Sequence, residues 1–150
     1  LHGGLGAGEL GILIAPPGYG KSYSLINIAC GGVSDGKNVI YYSLELSQLN
    51  LGLRADAYFS GFKVDQIINE RDLVKKTLNE KRNGMGNLII RRFPTKSKTV
   101  AQLKAYTNRL MATGFKADLV VVDYGDLIKP TNYSDEKRHA VESIYEELRQ

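Results

Sequence analysis

Cysteine is almost absent from this sequence. Cys30 is the only one in 150 residues, which excludes an internal disulfide and a cysteine-based zinc site. It falls in an apolar helical stretch and reads as a small buried hydrophobe. Histidine is nearly as scarce: His2 and His139 stand far apart and make no ligand pair. No apolar run approaches the roughly 20 residues that a membrane span requires, and no signal-peptide pattern opens the chain. No membrane partner is therefore expected, and a cytoplasmic setting is the default. The first residue is Leu1 rather than Met, which reads as a piece excised from something longer. Repeats and low-complexity segments are lacking too.

What is present suits an ordinary globular unit. Hydrophobic residues make up 43% and charged residues 24%, and 150 residues suffice for one domain, 1–150, with a respectable core. The formal net charge is +4. Basic residues gather at Lys75-Lys76, Lys81-Arg82, Arg91-Arg92 and Lys96/Lys98. Such clusters suit an anionic partner, or they are solvated helix faces and strand ends. Charge alone does not decide between the two.

Hydrophobic periodicity gives strands and helices in alternation. Gly11–Ala15 is a short apolar run bounded by glycine and proline, expected as a fully buried strand. The His2–Gly11 stretch before it, with five glycines, is expected as a turn or small hairpin. Lys21–Cys30 predicts a helix with Leu25, Ile26, Ile28 and Ala29 inward, stopped by Gly31-Gly32. Asn38–Leu44, rich in β-branched and aromatic residues, predicts a second strand. Ser47 is positioned to cap a helix through Tyr58 or Phe59 that ends near Gly61. From Lys63 to Arg82 the pattern is helical, with Ile67, Ile68, Val74 and Leu78 as the buried side and Asn83-Gly84 as the stop. Asn87–Phe93 predicts a third strand, closed by Pro94. Thr99 and Gln102 have capping-box spacing for a helix to Thr113. Leu119–Asp123 predicts the fourth strand, and Asp135–Gln150 a last helix. Together these predict an α/β fold, a mainly parallel sheet with helices on both faces.

Between the first expected strand and the first helix lies Ala15-Pro16-Pro17-Gly18-Tyr19-Gly20-Lys21-Ser22. It matches the phosphate-binding pattern G-x-x-x-x-G-K-[ST] with Ala15 in place of the first glycine. Gly18 and Gly20 let the backbone turn its N–H groups inward around phosphate oxygens, where the helix N-terminus adds partial positive charge. Lys21 would neutralise the β- and γ-phosphates, and Ser22 would offer a hydroxyl to Mg²⁺. Pro17 through Tyr23 is the stretch expected to touch nucleotide, with ATP or another NTP and Mg²⁺ as the implied cofactors. The Ala15 replacement matters little if that residue has negative φ. The alternative is a plain glycine-rich strand-to-helix turn.

Two carboxylates follow. Asp123 ends an apolar strand, where it can reach the Mg²⁺ shell as a Walker B aspartate, or merely cap the strand. Glu45 sits between Leu44 and Leu46 just past the second strand. At a strand end facing the ligand crevice it could polarise the water that attacks the γ-phosphate; equally, it could be a surface glutamate near a helix start.

The combination resembles the RecA-like domain of DnaB-type replicative helicases, especially those of phages. The resemblance rests on Gly3-Gly4-Leu5 and Gly8-Glu9-Leu10, the phosphate loop, Tyr42-Ser43-Leu44-Glu45-Leu46-Ser47, Arg54 and Val121-Val122-Asp123-Tyr124 with Leu127. These motifs fall in the family's order over nearly the whole chain. The resemblance implies that Glu45 is the catalytic base and Lys21 a catalytic phosphate contact. It also implies a ring homo-hexamer that hydrolyses NTP at subunit interfaces and draws single-stranded DNA through its centre. Lys129, Lys137 and Arg138 match the segment that would carry DNA-contacting loops; a mobile polar linker explains the same residues. The family's γ-phosphate sensor and arginine finger match no residue here. Nor does the strand that lies between the family's phosphate-loop and Walker B strands, which implies an incomplete or rearranged sheet. An arginine finger contributes about 10³–10⁵ in rate in related NTPases, so this chain alone is expected to bind nucleotide and to hydrolyse it poorly. It is expected to be monomeric because much of the family's subunit interface matches no residue here.

Three other readings compete. A RecA-type recombinase would share the loop, glutamate and aspartate without the Gly8-Glu9-Leu10 and Ser43–Ser47 wording. A P-loop kinase would need an arginine-bearing substrate lid, and none is evident. A plain nucleotide- or DNA-binding module would catalyse nothing alone.

Overall fold

A computed structural model describes residues 4–131 and 137–149. In chain order, the elements begin with α1 (Lys21–Ser34), β1 (Val39–Ser43), α2 (Gln48–Ser60), α3 (Val64–Asn69) and α4 (Arg71–Lys81). Next are β2 (Leu88–Arg92), α5 (Val100–Ala112) and β3 (Leu119–Asp123), then a 3-10 turn at Gly125–Leu127 and α6 (Lys137–Arg149). The sheet is parallel in the order β2-β1-β3. Central β1 is buried over its full length, as the aromatic and β-branched run Val-Ile-Tyr-Tyr-Ser requires of a strand covered on both faces.

Helices do cover both faces. On one side Ile26, Ala29, Cys30 and Val33 of α1 and Leu51 and Ala55 of α2 pack against Val39, Tyr41 and Val121. On the other, Val100 and Leu103 of α5 and Ile144 of α6 pack against Ile40, Tyr42 and Leu44, with Ile128. Successive side chains of β1 thus enter alternate cores, the period-two consequence of a pleated strand.

The expected strand at Gly11–Ala15 does not form. That stretch is irregular, and its apolar side chains are largely open to solvent, Ile14 to 88%. An apolar run marks a segment suited to a buried strand, but the ladder also needs a neighbour. Among the described residues β3 pairs only with β1 and leaves its other edge open. That open edge, among the described residues, is the one beside which the resemblance implies a further strand.

Three local expectations are also corrected. Helix α1 runs through Gly31-Gly32, because burying Val33 outweighs a glycine cost of about 1 kcal/mol each. It ends three residues later in a Schellman motif, with Gly36 at φ 77 and bonds Gly36 N–H to Val33 O and Lys37 N–H to Gly32 O. Ile28 of this helix faces solvent. The Lys63–Arg82 stretch is broken at Glu70 (φ −120, ψ 46) into α3 and α4, so that only Ile67 and Val74 are buried while Ile68 is exposed. The caps at Ser47 and Thr99 form as expected. Ser47 Oγ accepts from Asn50 N–H, and Thr99 and Gln102 exchange both capping-box bonds. The last helix is described from Lys137; residues 132–136 and 150 lie outside the described part.

Candidate nucleotide site

The expected phosphate loop is an exposed turn that opens α1. Gly18 and Gly20 have φ 82 and 79, values only glycine adopts without strain. Gly20 is the N-cap, and its carbonyl accepts the first helical bond from Ser24 N–H at 2.8 Å. The N–H groups of the first turn are therefore free of intrahelical partners and point out of the helix end. Ala15 is not in the left-handed region, because Lys96 is the one described non-glycine residue with positive φ. An alanine in place of glycine there carries no strain.

Lys21 and Ser22 are the first two residues of α1, both half-buried. The Lys21 ammonium stands 3.6 Å from the centroid of the Tyr124 ring. Tyr124 directly follows Asp123 at the end of β3, so the loop lysine and the strand-end aspartate are brought to one place by a shared aromatic neighbour. Glu45 belongs to the same neighbourhood. Burial first, then the charges of Glu45, Asp126 and Asp123, push the Tyr124 hydroxyl above its usual pKa. Glu45 itself is exposed, two residues past β1, whose last residue Ser43 is in register with Asp123.

Asp123 is fully buried. Its Oδ2 accepts from the Tyr41 hydroxyl at 2.9 Å, while Oδ1 has no hydrogen-bond partner. A buried carboxylate oxygen without a partner costs on the order of 1–3 kcal/mol or more. Burial, then the Asp123 charge and this bond, hold the Tyr41 phenol well above its ordinary pKa, so it stays a donor. Sequence reasoning missed Tyr41 and named Tyr124 only as part of a motif, with no role of its own. The signal for Tyr41 was parity: it shares a face of β1 with Ser43, and Asp123 lies opposite Ser43 on β3. Arg54 of α2 sits 5.8 Å from the ring of Tyr23 in α1 and near enough to Tyr41 to oppose the upward shift of its pKa.

The remaining expected contacts are not part of this cluster. Pro17 and Tyr19 are exposed loop residues and Tyr23 lies on the outer side of α1. Lys129 is exposed and tied by its backbone N–H to Lys98 O at 2.8 Å, near the start of α5. Arg138 is exposed at the start of α6, and the side chain of Lys137 lies outside the described part. Among the described residues no helix is long and apolar enough to cross a membrane.

Comparison with known proteins follows the same line. A family model described as the DnaB-like helicase C terminal domain matches residues 1–150. A DnaB-like replicative helicase of Enterobacteria phage T4 is 28% identical over 156 residues, covering 98% of this chain and 33% of that protein. The DNA repair protein RadA of Campylobacter jejuni is 45% identical over only 56 residues, 37% of this chain and 13% of that protein. Among solved structures, a DnaB-like replicative helicase studied with its interactions with primase superposes with TM-score 0.71 at 18% identity. It covers 89% of this chain and 33% of its own length. A separately solved ATPase domain matches equally well over 49% of its length. At that identity the two structures establish the fold alone. The chain spans about a third of the length of the helicases it resembles.

Proposed function

Because the chain belongs to the DnaB-like helicase C terminal domain family, we propose that it is the nucleotide-binding motor core of a replicative DNA helicase, hydrolysing ATP to move along single-stranded DNA. The observation that carries this is the convergence of Lys21, Asp123 and Glu45 around Tyr124. In this reading the open N–H groups of the Gly18–Ser22 turn receive the phosphate oxygens. Lys21 leaves the Tyr124 face for the β- and γ-phosphates. Glu45 orients a water and accepts its proton as the oxygen attacks the γ-phosphorus and the bond to the β-phosphate oxygen breaks, giving ADP and phosphate.

Mg²⁺ fits the donors present. The Ser22 hydroxyl and the unpartnered Asp123 Oδ1 are hard oxygen donors of the kind that ion takes, directly or through water. When bound, Mg²⁺ offsets charge on the β- and γ-phosphates. Tyr41 holds Oδ2 and leaves Oδ1, though buried, without a hydrogen-bond partner for the ion to take up.

The proposed setting is the cytoplasm, with a homo-hexamer around single-stranded DNA and with Lys129, Lys137 and Arg138 contacting the strand. The 150-residue chain alone is proposed to be slow in turnover, since no residue in it is assigned as an arginine finger, and to be monomeric. A helicase reading is favoured over a recombinase because the helicase similarity runs over 98% of the chain, whereas the RadA similarity covers 37%. The test is strand displacement on a forked duplex by the full-length protein, with Lys21→Ala as control. ATP-dependent unwinding lost in the variant supports the reading; DNA-dependent hydrolysis without displacement favours the recombinase.

A further inference from the structure

Residues 81–117 contain nine lysines and arginines and no aspartate or glutamate, leaving eleven basic against sixteen acidic residues in the rest of the chain. Some of these cations hold the fold: Lys81 Nζ donates to the carbonyls of Phe59 and Ser60, and Lys96 Nζ to those of Asp126 and Ile128. Three others gather around two aromatic rings between β2 and α5. Arg91 Nε donates to the Tyr106 hydroxyl at 2.6 Å, the Arg109 guanidinium lies 5.9 Å from the Tyr106 ring, and Lys98 Nζ lies 5.6 Å from the Phe93 ring. The two rings pack edge to face at 5.8 Å. Among the described residues none of these three cations is paired with a carboxylate. Their charge is positioned by aromatic contacts and left unneutralised.

The exposed guanidiniums of Arg91 and Arg109 keep free donors in the planar geometry that suits phosphate. The two rings are half-buried and anchored on the Tyr42 ring of the core, so they fix the cations in place, and a cluster of fixed, unpaired cations is the pattern that tracks a nucleic-acid backbone. The face lies on the α5 side of the sheet, away from α1 and the phosphate loop, and it adjoins Lys129 through the Lys129–Lys98 backbone bond.

We propose that the face built by β2 and α5 around Arg91, Lys98 and Arg109 binds the phosphate backbone of single-stranded nucleic acid. This deepens the DNA-contacting part of the proposed function and adds a second surface to it. It does not rest on ATP binding.

The test is fluorescence anisotropy of a labelled thymidine oligonucleotide, without nucleotide, across a salt series. The proteins are the wild-type chain, the triple variant Arg91→Gln/Lys98→Gln/Arg109→Gln and the control Lys75→Gln/Lys76→Gln. Each phosphate contact adds about 0.7 to the slope of log affinity against log salt for single strands, so the triple variant should lower that slope by about 2 and the control should not. Arg109→Gln alone, which leaves the Arg91–Tyr106 bond intact, should lower it by about 0.7 and serves if the triple variant fails to fold. Three outcomes overturn the proposal: no oligonucleotide binding by the wild type, equal slopes in wild type and variants, or equally tight binding of a labelled polyglutamate. Loss of ATP binding with the slopes as expected would fail the nucleotide reading and leave this one standing.

Discussion

Tyr41 on β1 and Asp123 on β3 meet across the centre of the sheet, hydroxyl to carboxylate oxygen at 2.9 Å, with both side chains removed from solvent. One oxygen of the aspartate is thereby held and the other left without a partner at the end of the strand. Tyr41→Phe removes the donor while keeping the ring. Leaving Oδ2 buried and unpaired should lower stability by about 1–3 kcal/mol, read from urea unfolding. It should also weaken nucleotide binding with Mg²⁺ more than without it. Equal weakening under both conditions would reduce Tyr41 to a packing residue.

Lys21 rests on the Tyr124 ring, a contact of about 0.5–1 kcal/mol at a solvent-accessible site. In the proposed function Lys21 leaves this ring for the phosphates, and the contact opposes binding. Tyr124→Leu should therefore tighten nucleotide binding by about two- to fivefold, whereas Tyr124→Phe should leave it unchanged. Weaker binding in the leucine variant would mean that the ring aids the bound state instead.

Glu45 is exposed and contributes nothing to either core. Glu45→Gln should leave stability and nucleotide affinity intact and reduce hydrolysis by the full-length protein by about 10²–10⁴, measured as phosphate release at saturating ATP. Unchanged turnover would remove Glu45 from the reaction.

Burial first, and the nearby Asp56 charge second, push the Cys30 thiol up to about 12. At pH 8 only about one molecule in ten thousand carries the thiolate, so a disulfide reagent should label Cys30 on unfolding and not before. The same shift makes stability depend on pH. The unfolded thiol ionises near its ordinary 9.0, while the folded one keeps its proton. The contribution is complete below about 9 and is lost as pH rises toward 12; Tyr41, whose pKa is also raised, adds a loss that begins near 10. Thermal unfolding from pH 8 to 11 should show a falling midpoint.

Features set by neighbours in sequence were legible there. The caps at Ser47 and Thr99 require only a side chain and an amide three residues on, and β3 ends at Asp123 as expected. What escaped depends on distant partners. Gly11–Ala15 carries a strand's composition but meets no ladder, so its apolar side chains stay largely exposed. The Gly31-Gly32 pair carries a helix stop's composition, yet the burial of Val33 carries α1 past it. In the candidate site, the phosphate-loop pattern was readable from spacing and Asp123 from its strand end, whereas the role of Glu45 was singled out only by the resemblance. The roles of Tyr41 and Tyr124 were not readable, because they follow from strand register and from what packs beside Lys21.

The most direct test is a titration of this chain with a fluorescent ATP analogue and Mg²⁺, beside Lys21→Ala and Asp123→Asn. The account predicts saturable binding by the wild type, its loss in Lys21→Ala, and in Asp123→Asn binding that no longer responds to Mg²⁺. Binding by Lys21→Ala as tight as that of the wild type would contradict it.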